Sequence, residues 1–245
     1  MKKLFLANAI GLVCMLIGIG TPQATAQTPR PEYPRPQFER SAWQNLNGTW
    51  TYTFDFGRSG KDRNFQNSKG FDGKITVPFC PESKLSGIGY TDFINCLWYQ
   101  RQLTVPADWK GKNILLHFGA VDYEATIYIN GKFVMKHFGT GSSFTADITA
   151  FAKPGETVNL VVSVSDDLRA GKQPGGKQSV LYNSYGCSYT RTTGIWQTVW
   201  MEPVSPQGLK QVIATPDIDQ KQLVIRPVFY EESMNNTLYI KMLDG

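Results

Sequence analysis

Hydrophobic and polar residues alternate along much of the chain beyond residue 38, with the period of two that is typical of a strand with one buried face. The clearest example covers residues 121–129. Alternate positions there place one set of side chains on one face, namely Val121, Tyr123, Ala125, Ile127 and Ile129. The other face carries Asp122, Glu124, Thr126 and Tyr128. We therefore predict one strand, with Asp122 on its polar face.

A tight turn directly follows this strand. Asn130 and Gly131 belong to the residue types that tolerate positive φ, which both central positions of a type I′ turn require. Beyond the turn the chain continues into residues 132–137, which we predict as the second strand. The sequence therefore predicts a β-hairpin closed at Asn130-Gly131.

Other segments with the strand pattern are separated by Gly, Pro, Asn and Asp, as in an antiparallel sandwich. We predict strands over residues 48–56, 74–79, 97–105, 114–118, 158–164 and 195–202. Helical periodicity is nearly absent. About eight or nine strands between residues 38 and 203 predict an all-β fold with a jelly-roll-like double sheet.

A second strand-rich region follows. Pro203 to Pro206 is typical of a linker, and the pattern beyond it predicts strands over residues 209–215, 222–230 and 237–243. Because three strands cannot close a sandwich, we expect residues 207–245 to be an incomplete second β-sandwich. We also expect this part to be poorly ordered in isolation.

The N-terminal segment has a different composition. Lys2 and Lys3 precede an apolar run at residues 4–20, and Ala24-Thr25-Ala26 has the form of a cleavage site. These features indicate a signal peptide over residues 1–26, cleaved after Ala26, and predict a periplasmic or extracellular protein with no membrane anchor. Residues 27–37 hold four prolines and predict an extended lead-in rather than packed structure.

Composition excludes several classes of function. The formal net charge is +5, with Lys and Arg scattered along the chain, so we expect no nucleic-acid partner. With two histidines and no C-x-x-C pair, we also expect no metal site and no cofactor. Cys80, Cys96 and Cys187 allow either one disulfide with a free thiol or three buried thiols.

The tryptophans and histidines have structural interpretations. A Trp on a regular strand packs in the core more often than it stacks on a ligand. We expect this role for Trp50, Trp98, Trp196 and Trp200. We expect His117 and His137 to be ordinary strand residues.

Six motifs, in this order, resemble the sugar-binding domain of glycoside hydrolase family 2, which groups bacterial β-galactosidases with β-glucuronidases and β-mannosidases. Any one of them could occur in an unrelated sandwich, whereas their order and spacing together are specific. They are NLNGTWTY at 45–52, VPFCPES at 77–83, LWYQRQLTVP at 97–106, FGAVDYEATIYING at 118–131, FTADIT at 144–149 and TGIWQTVWMEPV at 193–204.

The resemblance implies a galactose-binding-domain-like jelly roll over residues 38–203, followed by an immunoglobulin-like β-sandwich that begins near Leu209. In the family a (β/α)8 barrel comes next and carries two catalytic glutamates. A barrel takes about 250 residues, so we expect the catalytic pair outside this sequence and no activity of the chain alone. The immunoglobulin-like domain is then truncated.

The chain offers no convincing catalytic pair of its own. Asp166-Asp167 and Glu231-Glu232 are the visible candidates. Adjacent residues on a strand point to opposite faces and cannot act on one bond together. Solvated turn acids are the commoner explanation for two aspartates in a loop.

Two long stretches without strand pattern, residues 57–73 and 170–193, interrupt the chain, and long loops are frequently functional. The resemblance implies that the second loop reaches the sugar pocket. Its candidates for hydrogen bonds or ring contacts to a sugar are Lys177, Gln178, Tyr182 and Arg191. The alternative is a loop that packs on the downstream barrel.

Three functions remain open. The first is the N-terminal sugar-binding and scaffold portion of an exported β-glycosidase, with carbohydrate and the barrel as partners. The second is a free-standing carbohydrate-binding module, and the third is a structural or adhesive sandwich with no sugar chemistry. Hydrolysis and glycan binding by the chain would separate them.

Overall fold

A computed structural model describes residues 27–231 and 237–243. The predicted signal peptide at residues 1–26 lies outside the described residues, as does Glu232. The described part is all-β, with four short 3-10 helices at Phe65–Asn67, Lys84–Ser86, Ala107–Trp109 and Leu168–Ala170. Its strands are β1 (Gln44–Asn45), β2 (Gly48–Phe54), β3 (Gly73–Val77), β4 (Cys96–Thr104), β5 (Asn113–Phe118), β6 (Val121–Asp122), β7 (Glu124–Ile129), β8 (Lys132–Phe138), β9 (Phe144–Asp147), β10 (Thr157–Ser165), β11 (Gly194–Ile195), β12 (Val199–Val204), β13 (Leu209–Asp217) and β14 (Gln222–Phe229).

Two antiparallel sheets form the sandwich. One has the strand order β3-β2-β4-β10-β7-β8, and the other has the order β1-β12-β5-β9. Apolar side chains from both sheets meet in one buried cluster that includes Trp50, Tyr99, Leu116, Phe118 and Leu160. The predicted all-β sandwich is confirmed, because the alternating residues of each strand supply this core.

The predicted hairpin is confirmed. Ile129 pairs with Lys132, so the loop has two residues. Asn130 and Gly131 have φ values of 50° and 76°, the positive values that a type I′ turn needs. The side chain of Asn67 packs directly over Gly131, where a Cβ would lie 1.8 Å from its Oδ1.

The prediction of one strand over residues 121–129 is wrong. β6 pairs with β11, whereas β7 pairs with β10 and β8, so the run divides at Tyr123 between two sheets. Asp122 is not on a polar face: it is buried opposite Gly194 of β11. Alternation along the sequence does not show which strand each residue pairs with or which side chains pack over it.

The proline-rich lead-in is irregular but not free of packing, which corrects the prediction for residues 27–37. The Tyr33 hydroxyl donates to Glu202 Oε2 at 2.7 Å. The Asn45 and Asn47 side chains donate to the carbonyls of Arg30 and Pro29. These bonds fix the segment against β1 and β12, because the prolines leave its carbonyls free to accept.

Glu202 is the centre of a buried polar network on β12. It lies 3.0 Å from Arg40 Nε and 3.1 Å from His117 Nε2. Burial acts to raise the pKa of Glu202, but hydrogen bonds from His117 and Tyr33 and the charges of His117 and Arg40 bring it below its ordinary value. Burial lowers the pKa of His117. The network therefore holds an ionised Glu202 and ties the lead-in to the sandwich.

The second strand-rich region is a hairpin in the described residues. β12 includes Pro203 and Val204, so the connection to β13 begins two residues later than the predicted linker. β13 pairs with β14, and Arg40 Nη2 donates to Leu209 O at 2.7 Å. Residues 237–243 form no strand, which corrects the third predicted strand.

The aromatic residues and thiols follow their expected roles only in part. Trp50, Trp98 and Trp200 are buried as predicted, but Trp196 is half-buried. His117 and His137 lie on β5 and β8. The three described cysteines are all unbridged, and only Cys96 is fully buried while Cys187 is exposed, so neither predicted arrangement holds. Within residues 27–231 and 237–243, no helix is long and apolar enough to cross a membrane.

Candidate functional site

The ends of three neighbouring strands, β2, β4 and β10, meet at one end of the six-stranded sheet. Asn95 directly precedes β4 and Asp166 directly follows β10, and the antiparallel register pairs Ser165 with Cys96. The ladder continues one step further, because Asp166 N donates to Asn95 O at 3.1 Å. Phe56, which follows β2, accepts from Asn95 Nδ2 through its carbonyl at 3.1 Å. The sheet register therefore brings these three residues together.

A cavity of about 260 Å³ opens at these strand ends. We call it the Asn95–Asp166 cavity. Asn95 Oδ1 is buried and has no hydrogen-bond partner in the described part of the chain. The wall of the cavity combines two aromatic rings, two guanidinium groups and short polar side chains. They belong to Phe56, Phe93, Asn95, Asp166, Arg169, Arg191 and Thr193.

Asp166 is 5% exposed and its carboxylate is held from both sides. Oδ1 accepts from Gln173 Nε2 at 2.6 Å, and Oδ2 accepts from Thr193 Oγ1 at 2.9 Å. Burial raises its pKa, and these two hydrogen bonds only partly oppose that effect. An oriented carboxyl group with spare lone pairs at a cavity wall is a strong acceptor for a hydroxyl group.

Two arginines stack on the ring of Phe93. The guanidinium carbons of Arg169 and Arg191 lie 3.8 and 4.2 Å from the ring centroid. Arg191 is 3% exposed and donates to the carbonyls of Thr91, Ser179, Leu181 and Tyr182. Its Nε has no partner among the described residues. Arg191 therefore fixes the course of the loop while Arg169, which is exposed, faces solvent at the cavity.

Buried carboxyl groups continue behind the cavity. Thr193 N donates to Glu82 Oε2 at 3.2 Å, and Glu82 is buried with a pKa raised by that burial. Burial and the nearby charge of Asp166 raise the pKa of Asp122 to about 8. These groups form no ion pair in the described residues, so burial favours their neutral forms.

The structure separates the four loop residues predicted from the sequence. Arg191 lines the Asn95–Asp166 cavity. Lys177 and Gln178 line a second cavity, together with Asp122 and Trp196. Tyr182 is 57% exposed and lines neither cavity. The extended segment 191–193 lies between the two cavities, because Arg191 and Thr193 line the first and Thr192 lines the second.

Sequence reasoning missed Asn95, Phe93 and Arg169, and it dismissed Asp166 as a solvated turn acid. A usable signal was present, since Asn95 and Asp166 each lie two residues beyond the end of a predicted strand. Whether those strands are neighbours in the sheet is a tertiary property, and the pairing of β4 with β10 decides it.

The chemistry of this arrangement is recognition of a polar, ring-shaped ligand. Neighbouring donors and acceptors beside aromatic faces suit a molecule with many hydroxyl groups and an apolar ring face. No cluster of His, Cys, Asp or Glu within the described ranges could hold a metal ion.

Comparison with known proteins agrees with a site for a polar, ring-shaped ligand. The family described as "Glycosyl hydrolases family 2, sugar binding domain" matches residues 88–199. Residues 88–199 are therefore a sugar-binding domain of glycosyl hydrolases family 2. Asn95, Asp166 and Arg191 lie inside the matched region, whereas Phe56 lies outside it.

Relatives of this chain are glycosidases by name. A β-galactosidase of Thermoanaerobacter pseudethanolicus is 31% identical over 120 residues, which are 49% of this chain and 15% of that protein. A β-glucuronidase of Canis lupus familiaris is 22% identical over 238 residues, covering 86% of this chain and 36% of the relative. The chain thus spans about a third or less of the relatives' length.

The solved structure of Ruminococcus gnavus β-glucuronidase has the same fold over this region. It superposes with a TM-score of 0.64 at 23% identity, covering 80% of this chain and 34% of that one. The likeness supports the β-sandwich architecture of the family 2 domain.

Proposed function

We propose that this chain is the N-terminal sugar-binding and scaffold portion of an exported β-glycosidase, and that residues outside this sequence supply catalysis. The family 2 domain and the names of its relatives support a glycosidase. Export to the periplasm or the cell exterior rests on the basic, apolar and A-x-A pattern of residues 1–26.

The Asn95–Asp166 cavity is the part of the domain that contacts the sugar in this proposal. The observation that carries it is that two acceptor groups lie in the wall of one cavity. They are Asn95 Oδ1, which has no hydrogen-bond partner in the described residues, and the fixed carboxyl group of Asp166. Sugar hydroxyl groups bond to amide and carboxyl groups, and the Phe56 ring offers a face for the C–H groups.

The chain does not hydrolyse glycosides by itself in this account. A glycosidase needs two carboxyl groups on opposite sides of the scissile bond, separated by roughly 5–10 Å. In the Asn95–Asp166 cavity, the second carboxylate is that of the adjacent Asp167, and Arg58 Nη2 holds it at 2.7 Å. The pair therefore lacks the opposed placement that either stereochemical outcome requires.

Two measurements on the purified chain test this function. No hydrolysis of aryl β-glycosides above the buffer rate is expected. Binding of methyl β-glycosides, measured by titration calorimetry or NMR, is expected in about the millimolar range and is weakened about fivefold by Asn95→Ala, since a lost hydrogen bond is worth about 1 kcal/mol. Asn183→Ala, on an exposed part of the loop, is the matched control. Enzymatic turnover by the chain, or equal binding by both variants, contradicts the proposal.

A longer gene product would test the catalytic half separately. The proposal expects residues beyond Gly245 that alternate strand and helix and carry two glutamates at strand ends. In that protein, Asn95→Ala should lower kcat/KM by about tenfold or more. An unchanged kcat/KM would remove the cavity from the substrate site.

A further inference from the structure

The second cavity is separate from the one proposed above. It has a volume of about 240 Å³ and lies on the other side of segment 191–193. Drug-sized ligands fill cavities of about 300–1,000 Å³, so this one suits a smaller molecule. We call it the Asp122–Trp196 cavity.

Trp196 differs from the three strand tryptophans that are fully buried. Its indole Nε1 donates to Thr140 O at 2.7 Å, which fixes the orientation of the ring, yet the side chain is only half-buried and lines the cavity. Gly175 and Gly176 are also part of the wall, and a Cβ on Gly176 would meet nothing within 4 Å. The result is a fixed aromatic face beside an open volume.

Asp122 supplies a polar group at the same cavity. It is 2% exposed, and its Oδ1 has no hydrogen-bond partner in the described part of the chain. Its Oδ2 accepts from Gln178 Nε2 at 2.8 Å. A buried carboxyl oxygen without a partner is costly unless water or a ligand satisfies it.

Gln178 holds this carboxyl group in place. Its Oε1 accepts from Thr192 N at 2.8 Å while its Nε2 donates to Asp122. Both ends of the amide are therefore fixed, and Gln178 is a positioning residue. The exposed Lys177 lies at the same cavity and forms no ion pair in the described residues.

We propose that the Asp122–Trp196 cavity is a second saccharide-binding site, which takes one pyranose ring with its apolar face on Trp196 and its hydroxyl groups at Asp122 and Thr192. An apolar ligand would leave the carboxyl group of Asp122 unsatisfied, whereas a simple ion would make no use of the indole face. A sugar ring combines an apolar face with hydroxyl groups that match both.

The site is independent of the Asn95–Asp166 cavity, because the two share no lining residue. A failure of one is therefore distinguishable from a failure of the other. Asn95→Ala should weaken the saccharide binding reported by resonances around Asn95 and leave the changes around Trp196 in place. Trp196→Leu should have the opposite effect.

The test is an NMR titration of the ¹⁵N-labelled chain with methyl β-D-glucopyranoside and, separately, methyl β-D-galactopyranoside. The Trp196 indole N–H resonance should shift in a saturable way for at least one of them. Trp196→Leu should weaken binding at this cavity about tenfold, since stacking on an indole is a main part of the contact. Trp43→Leu is the matched control, because Trp43 is also half-buried but lines neither cavity.

The titration of the unaltered chain decides the question even if Trp196→Leu does not fold. A Trp196 indole resonance that stays in place with both glycosides overturns the proposal. So does binding near Gln178 and Thr192 that persists at full strength in a folded Trp196→Leu variant.

Discussion

The hydroxyl group of Tyr99 lies against Gly194 and leaves no room for a side chain there. Tyr99 Oη accepts from Ile195 N at 3.2 Å, and a Cβ on Gly194 would lie 2.1 Å from that oxygen. Gly194 also has a φ of +80° and pairs with Asp122. The glycine therefore sets how closely β11 can approach β4, and with it the wall between the two cavities.

Gly194→Ala should destabilise the domain. Overpacking in a filled core costs about 1–3 kcal/mol, and the positive φ adds about 1 kcal/mol. Chemical denaturation would show the loss as a lower midpoint with an unchanged slope. Gly171→Ala is the control, because Gly171 has a φ of +67° but nothing within 4 Å of its Cβ position. Equal losses in both variants would show that the close approach to Tyr99 is unimportant.

Tyr33→Phe should release the lead-in from the sandwich. It removes the 2.7 Å hydrogen bond to Glu202 Oε2, at a cost of about 1.5–3 kcal/mol because the acceptor is charged. Limited proteolysis should cut residues 27–37 faster in the variant. The Tyr182→Phe variant, altered on an exposed loop residue, should digest like the unaltered protein. Unchanged cleavage in Tyr33→Phe would mean that other contacts hold the segment.

Asp122→Asn should change how stability depends on pH. The folded protein keeps a proton on Asp122 up to about pH 8, whereas the unfolded chain releases it near the ordinary value of 3.8. The folded state therefore binds more protons between these values, and the stability contributed by Asp122 falls as pH rises through them. The variant lacks this loss.

Thermal denaturation between pH 5 and pH 8 measures this effect. Asp122→Asn should gain several degrees in Tm relative to the unaltered protein at pH 8, since about 1 kcal/mol corresponds to about 2–4 °C in a domain of this size. Asp108→Asn, at an exposed position, should leave the difference in Tm between pH 5 and pH 8 the same as in the unaltered protein. Parallel Tm profiles for all three proteins would refute the buried, protonated state of Asp122.

The β13–β14 hairpin should be much less stable than the sandwich. Its residues Ile218, Leu223 and Val224 are exposed, and a two-stranded unit buries little apolar surface. Hydrogen exchange should therefore be fast in β13 and β14 and slow in β4 and β10, which lie inside the six-stranded sheet. Protease digestion should stop near Pro206. Equal protection in both regions would show that the hairpin is a stable unit.

The strands could be predicted from sequence because each carries its own period of two and its own turn residues. The hairpin at Asn130-Gly131 and the buried Trp50 are local consequences of this kind. Residues 121–129 could not be predicted in full, because the change of pairing partner at Tyr123 depends on β11, about seventy residues further along the chain.

The site was harder to predict from the sequence than the fold, for the same reason. Asn95 and Asp166 are distant in sequence and meet only because β4 pairs with β10. Lys177, Gln178 and Arg191 line cavities, but the sequence did not indicate that segment 191–193 separates two of them. Burial of Asp122 and Asp166 likewise follows from what packs over them and not from their neighbours in the chain.

The most direct test of the Asn95–Asp166 cavity as a sugar site is a map of backbone amide shifts during titration of the ¹⁵N-labelled chain with methyl β-glycosides. Saturable shifts are expected at Phe93, Asn95, Asp166 and Arg169, and Asn95→Ala should move their saturation to about fivefold higher saccharide concentration. Resonances at these four positions that stay fixed at saccharide concentrations well above millimolar would contradict a sugar site there.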